Sequence, residues 1–350
     1  MSPASAHLWK HPILPRGSHG PTQDFEHERT RASVRALVRP GEEGGPRVAI
    51  LLCTYQGQAF LEEQLDSFLS QTHRNWRVWA SDDGSSDQTL RILERYQSAW
   101  PPGRLSIVCG PRKGFAENFN SLTRRAEIMA EYYAYSDQDD LWHADKLQRA
   151  LDWLLSVPAD LPALYCSRTL LVDANNIEIG RSPLFKRCPS FRNALSQNIG
   201  GGNTMVMNDA ARQLLCETSR QVPIVNHDWW TYLAVTGCGG RAFYDARPSV
   251  RYRQHDRNLV GMNRSLRAQL KRVRLLWQGQ LRDWNHHNIA ALRTLSHRLT
   301  PENRQILEDF SNARAGGLLQ RLHHFLRSGT HRQTLLGNLG LITAAVFKRI

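Results

Sequence analysis

Asp137-Gln138-Asp139-Asp140 puts three carboxylates within four residues. Like charges that close repel one another unless a cation or a positive partner sits nearby. A divalent cation held by one or two carboxylates can in turn neutralise a diphosphate as it departs from a reacting centre. On this reading Asp139 is the metal ligand and Asp137 lies nearer a ribose. The plainer reading is a solvated acidic turn in which Asp140 caps the next helix. A second cluster is Asp82-Asp83-Gly84-Ser85. A carboxylate there can accept the ring N–H of a uracil or thymine base, although Asp, Gly and Ser are also ordinary turn residues.

The elements that must position these residues follow from the hydrophobic pattern. Val48–Cys53 is a continuous apolar run, as in a strand buried on both faces. Gly57 lies in the next turn, and Phe60, Leu61, Gln64, Leu65, Phe68 and Leu69 form a helical stripe. A second strand, Trp76–Ala80, runs into Ser81–Asp87, where Asp87 caps a helix through Tyr96. Leu105–Val108 is a third strand, followed by a helix from about Ala116 to Ala130; Tyr132–Tyr135 is a fourth. This rhythm predicts an α/β fold with a parallel sheet and right-handed crossovers. Thr54-Tyr55, Asp82-Asp83 and Asp137–Asp140 each follow the C-terminal end of a strand, so they converge on one crevice.

Beyond Leu161 the pattern is mixed. Strands are predicted at Ala163–Leu171, Thr204–Met207, Gly240–Tyr244 and Ser249–Tyr252, and helices at Asp209–Cys216 and Asp228–Val235. A basic amphipathic helical region begins with Leu266, Leu270, Val273, Leu275, Leu276 and Trp277. The expected organisation is a flexible arm over 1–45, an α/β domain over 46–260 and a basic helical extension over 261–350. The net charge of +13 is uneven: residues 261–350 hold fifteen Lys and Arg against four Asp and Glu, 15 − 4 = +11. Such a tail suits nucleic acid, an anionic membrane surface or an acidic acceptor. No stretch reaches the roughly 20 apolar residues of a membrane-spanning helix, and no secretory signal is read. The six cysteines, without metal spacing, read as buried reduced thiols of a cytosolic protein.

Val48–Tyr55, Gln64–Gln71 within EQLDSFLSQT, SDDGSSD at Ser81–Asp87 and SDQDDLWHADKL at Ser136–Leu147 together resemble the inverting family 2 glycosyltransferases of the GT-A fold. NHDWW at Asn226–Trp230 and YRQHDRNLVG at Tyr252–Gly261 are similar to the rhamnosyltransferase-like branch of bacterial surface polysaccharide assembly, which typically uses dTDP-β-L-rhamnose. The resemblance covers about Arg47 to Val260. It implies a nucleotide-diphosphate sugar donor (dTDP-rhamnose or a UDP-sugar), a cell-surface glycan acceptor on a lipid carrier, and Mg²⁺ or Mn²⁺. Carried over, it sets Thr54 and Tyr55 against the nucleotide and Asp83 at the base, with Asp82 as the other candidate. It gives the DxD function to Asp137 and Asp139, the catalytic base to Asp228, and to His255 an approach to diphosphate or metal. One departure is that many members have Glu-Asp where this chain has His227-Asp228, which bears on acceptor contacts.

The residue chemistry agrees with these roles. An inverting transfer needs one carboxylate to take the acceptor's hydroxyl proton, and Trp229 and Trp230 beside Asp228 suit stacking on a sugar and excluding water. Asp228 also suits a helix N-cap. Gly202 and Asn203, in Gly200–Thr204, are expected to let backbone approach a sugar, or to be a plain loop. Lys113-Gly114 reads as a cation near phosphate or as a surface turn; His286-His287 and His323-His324 read as solvated helical faces. A sugar-phosphate nucleotidyltransferase would carry a Gly-rich basic loop where Cys53–Gly57 stands. No nucleic-acid motif accompanies the basic tail, so no nucleic acid is expected. A non-catalytic glycan-binding module would not need all three Asp clusters. The tail is expected to rest on the inner face of the cytoplasmic membrane.

Overall fold

The computed structural model describes residues 44–255 and 280–350. The arm expected over 1–45 falls almost wholly outside them, as does the helical region expected from Leu266 to Trp277.

Strand β1 (Val48–Thr54) is buried at every position. It lies between β2 (Trp76–Asp82) and β4 (Tyr132–Ser136), and β3 (Leu105–Cys109) flanks β2, all parallel. The sheet continues through β8 (Val206–Asn208), β6 (Ala163–Val172), β9 (Arg241–Arg253) and β5 (Leu141–Trp142), with β7 (Glu178–Arg181) on β6. β8 runs antiparallel to β4 and to β6, and β5 antiparallel to β9. The α/β class implied by the GT-A resemblance is therefore found, parallel around β1 and mixed beyond it.

Because side chains alternate along a strand, β1 feeds two cores. Val48, Ile50 and Leu52 pack under α1 (Leu61–Leu69), α2 (Thr89–Ala99) and α4 (Lys146–Leu154). Ala49, Leu51 and Cys53 face α3 (Phe115–Thr123), α5 (Phe191–Ala194), α6 (Asp209–Glu217) and α7 (His227–Gly237). The second core also takes Leu281, Ile289 and Leu292 of α8 (Gln280–Thr294) and Ile306, Leu307 and Phe310 of α9 (Pro301–Asn312). Thus part of the expected extension shares the main core. A small separate cluster joins Ala313, Phe325 of α10 (Leu318–Ser328), Leu341 and Ala345 of α11 (Leu335–Val346) and Ile350.

Three local expectations differ. The helix expected to reach Ala130 stops at Thr123, where Arg124 and Arg125 close it with amide bonds back to Asn120 and Leu122. Gly240–Tyr244 and Ser249–Tyr252 are one strand, β9, whose register against β6 shifts between Ser167 and Thr169. The chain before β8 is a short 3-10 turn, Gly202–Thr204, rather than the start of the strand. Asp87 does serve the head of α2, accepting from Thr89 N at 3.0 Å. Among the cysteines none is paired; Cys53 and Cys166 are buried, but Cys109, Cys188 and Cys216 are exposed, which corrects the expectation of buried thiols.

Candidate active site

Two antiparallel pairings assemble the site. β8 runs against β4, so the residues before β8, Gly202–Thr204, sit beside those after β4, Asp137–Asp140. β5 runs against β9, so Asp139 and Asp140, which precede β5, meet Arg253 and His255 at the end of β9. The parallel register places Thr54 opposite Asp82 on the same edge.

Asp82 and Asp83 are buried and fully engaged. Asp82 accepts from Thr54 Oγ1 (2.9 Å), Ser85 Oγ (2.6 Å), Ser85 N (2.8 Å) and Gly84 N (3.1 Å). Asp83 accepts from Arg112 N at 2.6 Å and Gly114 N at 2.8 Å, which fastens the loop between β3 and α3. Lys113 is exposed on that loop. Each carboxylate oxygen has a second lone pair, so Asp83 keeps acceptor capacity toward a base while holding this loop.

The Asp137 turn is built differently. Among the described residues no hydrogen bond or ion pair reaches the Asp137 carboxylate, and its pKa is pushed up to about 7, first by burial and then by Asp139 and Asp228. Asp139 Oδ2 lies 2.9 Å from His255 Nε2, whose ring also packs 5.1 Å from that of Phe60. Asp140 is wholly buried and accepts from Asn203 Nδ2 at 2.5 Å and Arg253 N at 3.1 Å, so it is a bracket rather than a solvated cap. Burial lifts its pKa well above the ordinary carboxylate range.

Three residues without an assigned role hold this turn. Gln138 donates to Tyr55 O and accepts from Tyr55 N, both at 2.8 Å, coupling the turn to the end of β1. A Cβ at Gly57 would strike the Gln138 amide, so a side chain there forces that amide out of place. Lys146 is fully buried, donates to Asn203 O at 2.8 Å and stands 3.3 Å over the Trp142 ring. Burial lowers its pKa, opposed by Asp140 and Asp137. Arg253, 1% exposed, donates to Asp139 O (3.0 Å) and Glu63 Oε2 (2.6 Å). All three lay inside quoted motifs, and a buried cation a few residues from three carboxylates was the available signal.

Asp228 sits in the first turn of α7 and accepts from Gly202 N at 3.2 Å and Trp229 N at 2.6 Å. Burial nevertheless raises its pKa to about 6. It therefore serves a backbone N–H at a helix head and remains a candidate base near neutral pH. His227 is buried, stacked 3.9 Å from Phe119, with neither ring nitrogen bonded among the described residues, and burial lowers its pKa to about 3. A Cβ on Gly202 would collide with its Nε2.

Some expected contacts are corrected. Trp229 is 5% exposed and donates to Ala194 O at 2.7 Å; Trp230 is 1% exposed. Both rings belong to the core layer behind α7 and present no face for a sugar to stack on. Asn203 is spent on Asp140 and Lys146 rather than facing outward. His324, read as a solvated face, lies 2.9 Å from Asp309.

Among the described residues no group of three or more His, Cys, Asp or Glu is poised around a metal. Asp139 with His255, and the unpartnered Asp137 beside them, fit a cation that brings most of its ligands with it. Mg²⁺ behaves so, keeping waters and phosphate oxygens and taking only one or two protein carboxylates.

An α/β sheet whose strand ends collect carboxylates at one crevice sets them where open sheets of this kind bind ligands. Residues 49–213 match the model of Glycosyl transferase family 2 and form a domain of that family. The chain is 29% identical over 235 residues to the dTDP-rhamnosyl transferase RfbG of Shigella flexneri, covering 64% of this chain and 78% of that protein. It is 31% identical over 111 residues to a putative teichuronic acid biosynthesis glycosyltransferase, TuaG, of Bacillus subtilis (strain 168), covering 31% of this chain and only 42% of that protein. Among solved structures, the mannosyltransferase PcManGT from Pyrobaculum calidifontis, in complex with GDP-Man and Mn²⁺, is similar at 19% identity and a TM-score of 0.47, covering 93% of this chain and 92% of that one. No helix among the described residues is long and apolar enough to cross a membrane.

Proposed function

We propose that this glycosyltransferase inverts the anomeric centre as it moves a sugar, L-rhamnose, from a nucleotide-diphosphate donor to a hydroxyl of a bacterial cell-surface glycan. The observation that carries the reading is the crowding of Asp137, Asp139 and Asp228 at one strand edge, with the unpaired Asp137 carboxyl pushed up to about 7, first by burial and then by those neighbours. Carboxylates crowded in this way are suited to a metal-bound diphosphate. The rhamnosyl donor is supported by the likeness to a dTDP-rhamnosyl transferase.

Thr54, Tyr55 and Asp83 bind the nucleotide, and Asp82 shapes the turn under it. Asp139, with His255 against it, holds Mg²⁺ or Mn²⁺, and Asp137 stands toward the ribose. The cation's contribution when bound is to neutralise charge on the leaving diphosphate. Asp228 receives the acceptor's hydroxyl proton at a carboxylate oxygen, oriented by the amides of Gly202 and Trp229. Gly202 then carries backbone close to the acceptor side, while His227 fills the space behind it.

The test is calorimetric binding and donor hydrolysis across a panel of nucleotide sugars, with Mn²⁺ or with EDTA, for the wild type, Asp139→Ala and Asp228→Asn. Metal-dependent binding of dTDP-rhamnose that Asp139→Ala abolishes, and that Asp228→Asn keeps without turnover, is the expected result. Preference for another nucleotide sugar removes rhamnose and keeps the mechanism. Binding unchanged by EDTA removes the metal.

A further inference from the structure

The C-terminal helices α10 and α11 each bury one face and leave the opposite one apolar and open. On the inner side Phe325 meets Leu341 and Ala345, and Arg321 is buried with bonds to Ala345 O and Val346 O. On the outer side Leu319 is 83% exposed, Leu326 76%, Leu335 80%, Leu336 82%, Leu339 61% and Ile342 44%. Their spacing within each helix keeps them on one stripe, at about 100° per residue. Single exposed leucines are ordinary, but two stripes on neighbouring helices are not.

The charge around the stripes selects what covers them. Of the five Lys and Arg from Leu318 to Ile350, Arg321 is turned inward and Lys348 is exposed, and the same stretch has no Asp or Glu. Arg327 borders the α10 stripe, its charge partly met by Asp309 at 3.5 Å, and exposed Phe347 and Lys348 with Arg349 follow α11. A second copy of the chain would bring like charge against like charge at the same patch. An anionic lipid surface offers apolar depth and negative headgroups together.

We infer that the outer face of α11, with Lys348 and Arg349 at its end, is a membrane-docking surface that inserts its leucines between anionic lipids. This places contact on apolar side chains of the last helix rather than on net charge alone. It does not depend on which sugar the enzyme carries.

The experiment is cosedimentation of the full-length protein with phosphatidylcholine vesicles, and with vesicles of phosphatidylcholine mixed with phosphatidylglycerol. The wild type is expected to bind the mixed vesicles. Leu336→Ser with Leu339→Ser weakens that binding by at least about tenfold, with thermal midpoint, solution mass and donor binding unchanged. Lys348→Glu and Arg349→Glu each weaken it about fivefold, on the anionic vesicles alone. Wild-type protein that ignores both vesicle types, or a leucine variant that binds as the wild type does, overturns the proposal. So does a dimer that the leucine variant splits, since the occupant is then a second copy. A lowered thermal midpoint in that variant also overturns it, because the stripe is then covered within the chain.

Discussion

Two acidic turns flank β1, one after β2 and one after β4, and they manage charge in opposite ways. Asp82 and Asp83 are surrounded by donors, six in all counting four on Asp82 and two on Asp83. Their negative charge is consumed in shaping the loops that follow β2 and β3. The turn after β4 uses only Asp140 in that way, through Asn203 and Arg253. Asp137 is left without a partner among the described residues, and its carboxyl is pushed upward by burial and by its neighbours. Acidic residues at equivalent strand ends thus differ in how far neighbouring donors satisfy them: Asp82 takes four donors and Asp137 none among the described residues.

The comparison breaks most visibly at the acceptor side. Asp228→Asn should lower kcat about 10³-fold with donor affinity retained, measured by product formation and calorimetry. In the wild type kcat/KM should climb as pH rises through about 6, because burial raises this carboxyl and the base works only when deprotonated. A profile flat from pH 5 to 8, a range spanning about 6, would remove Asp228 as the base.

Effects on folding come next. Lys146→Met leaves the Asn203 carbonyl without its buried donor and removes a cation near Asp140, and should cost about 2–3 kcal/mol in denaturant unfolding. Asp140→Asn in the same background should recover part of that loss. Asp82→Ala strands four donors and should cost about 2 kcal/mol. Gly57→Ala drives a methyl into the Gln138 amide and should cost about 1–2 kcal/mol, with weaker donor binding because the Tyr55 loop loses its brace. The last variant sharpens the contrast: Asp137→Asn removes no hydrogen bond seen among the described residues and relieves a buried carboxyl pushed up to about 7, so above neutral pH the metal-free protein should be at least as stable as wild type in denaturant unfolding while activity falls. If Asp137→Asn destabilises as much as Asp82→Ala, the two turns are alike after all.

The apolar run of β1 and the carboxylates after each early strand were legible in the sequence because a parallel strand is a local pattern and its C-terminal edge follows from the crossover rule. The resemblance pointed to Asp139 with His255, yet their separation of 116 residues hid the reason they meet. That reason is the antiparallel pairing of β5 with β9. Trp229 and Trp230 show the converse limit. Their chemistry suits sugar stacking, but α7 is buried on nearly every side, so both rings lie in the core.

Sequence alone therefore pointed to a family 2 glycosyltransferase domain by resemblance and determined the α/β core and the acidic residues available for chemistry, since residue type and short-range period set the latter two. Tertiary structure alone decided which acids were satisfied and which were exposed to one another. It also decided that Lys146 and Arg253 hold the Asp137–Asp140 turn, and that the last helices keep an apolar face outward. Hydrogen-bond saturation and burial are properties of neighbours distant along the chain, so no local pattern encodes them.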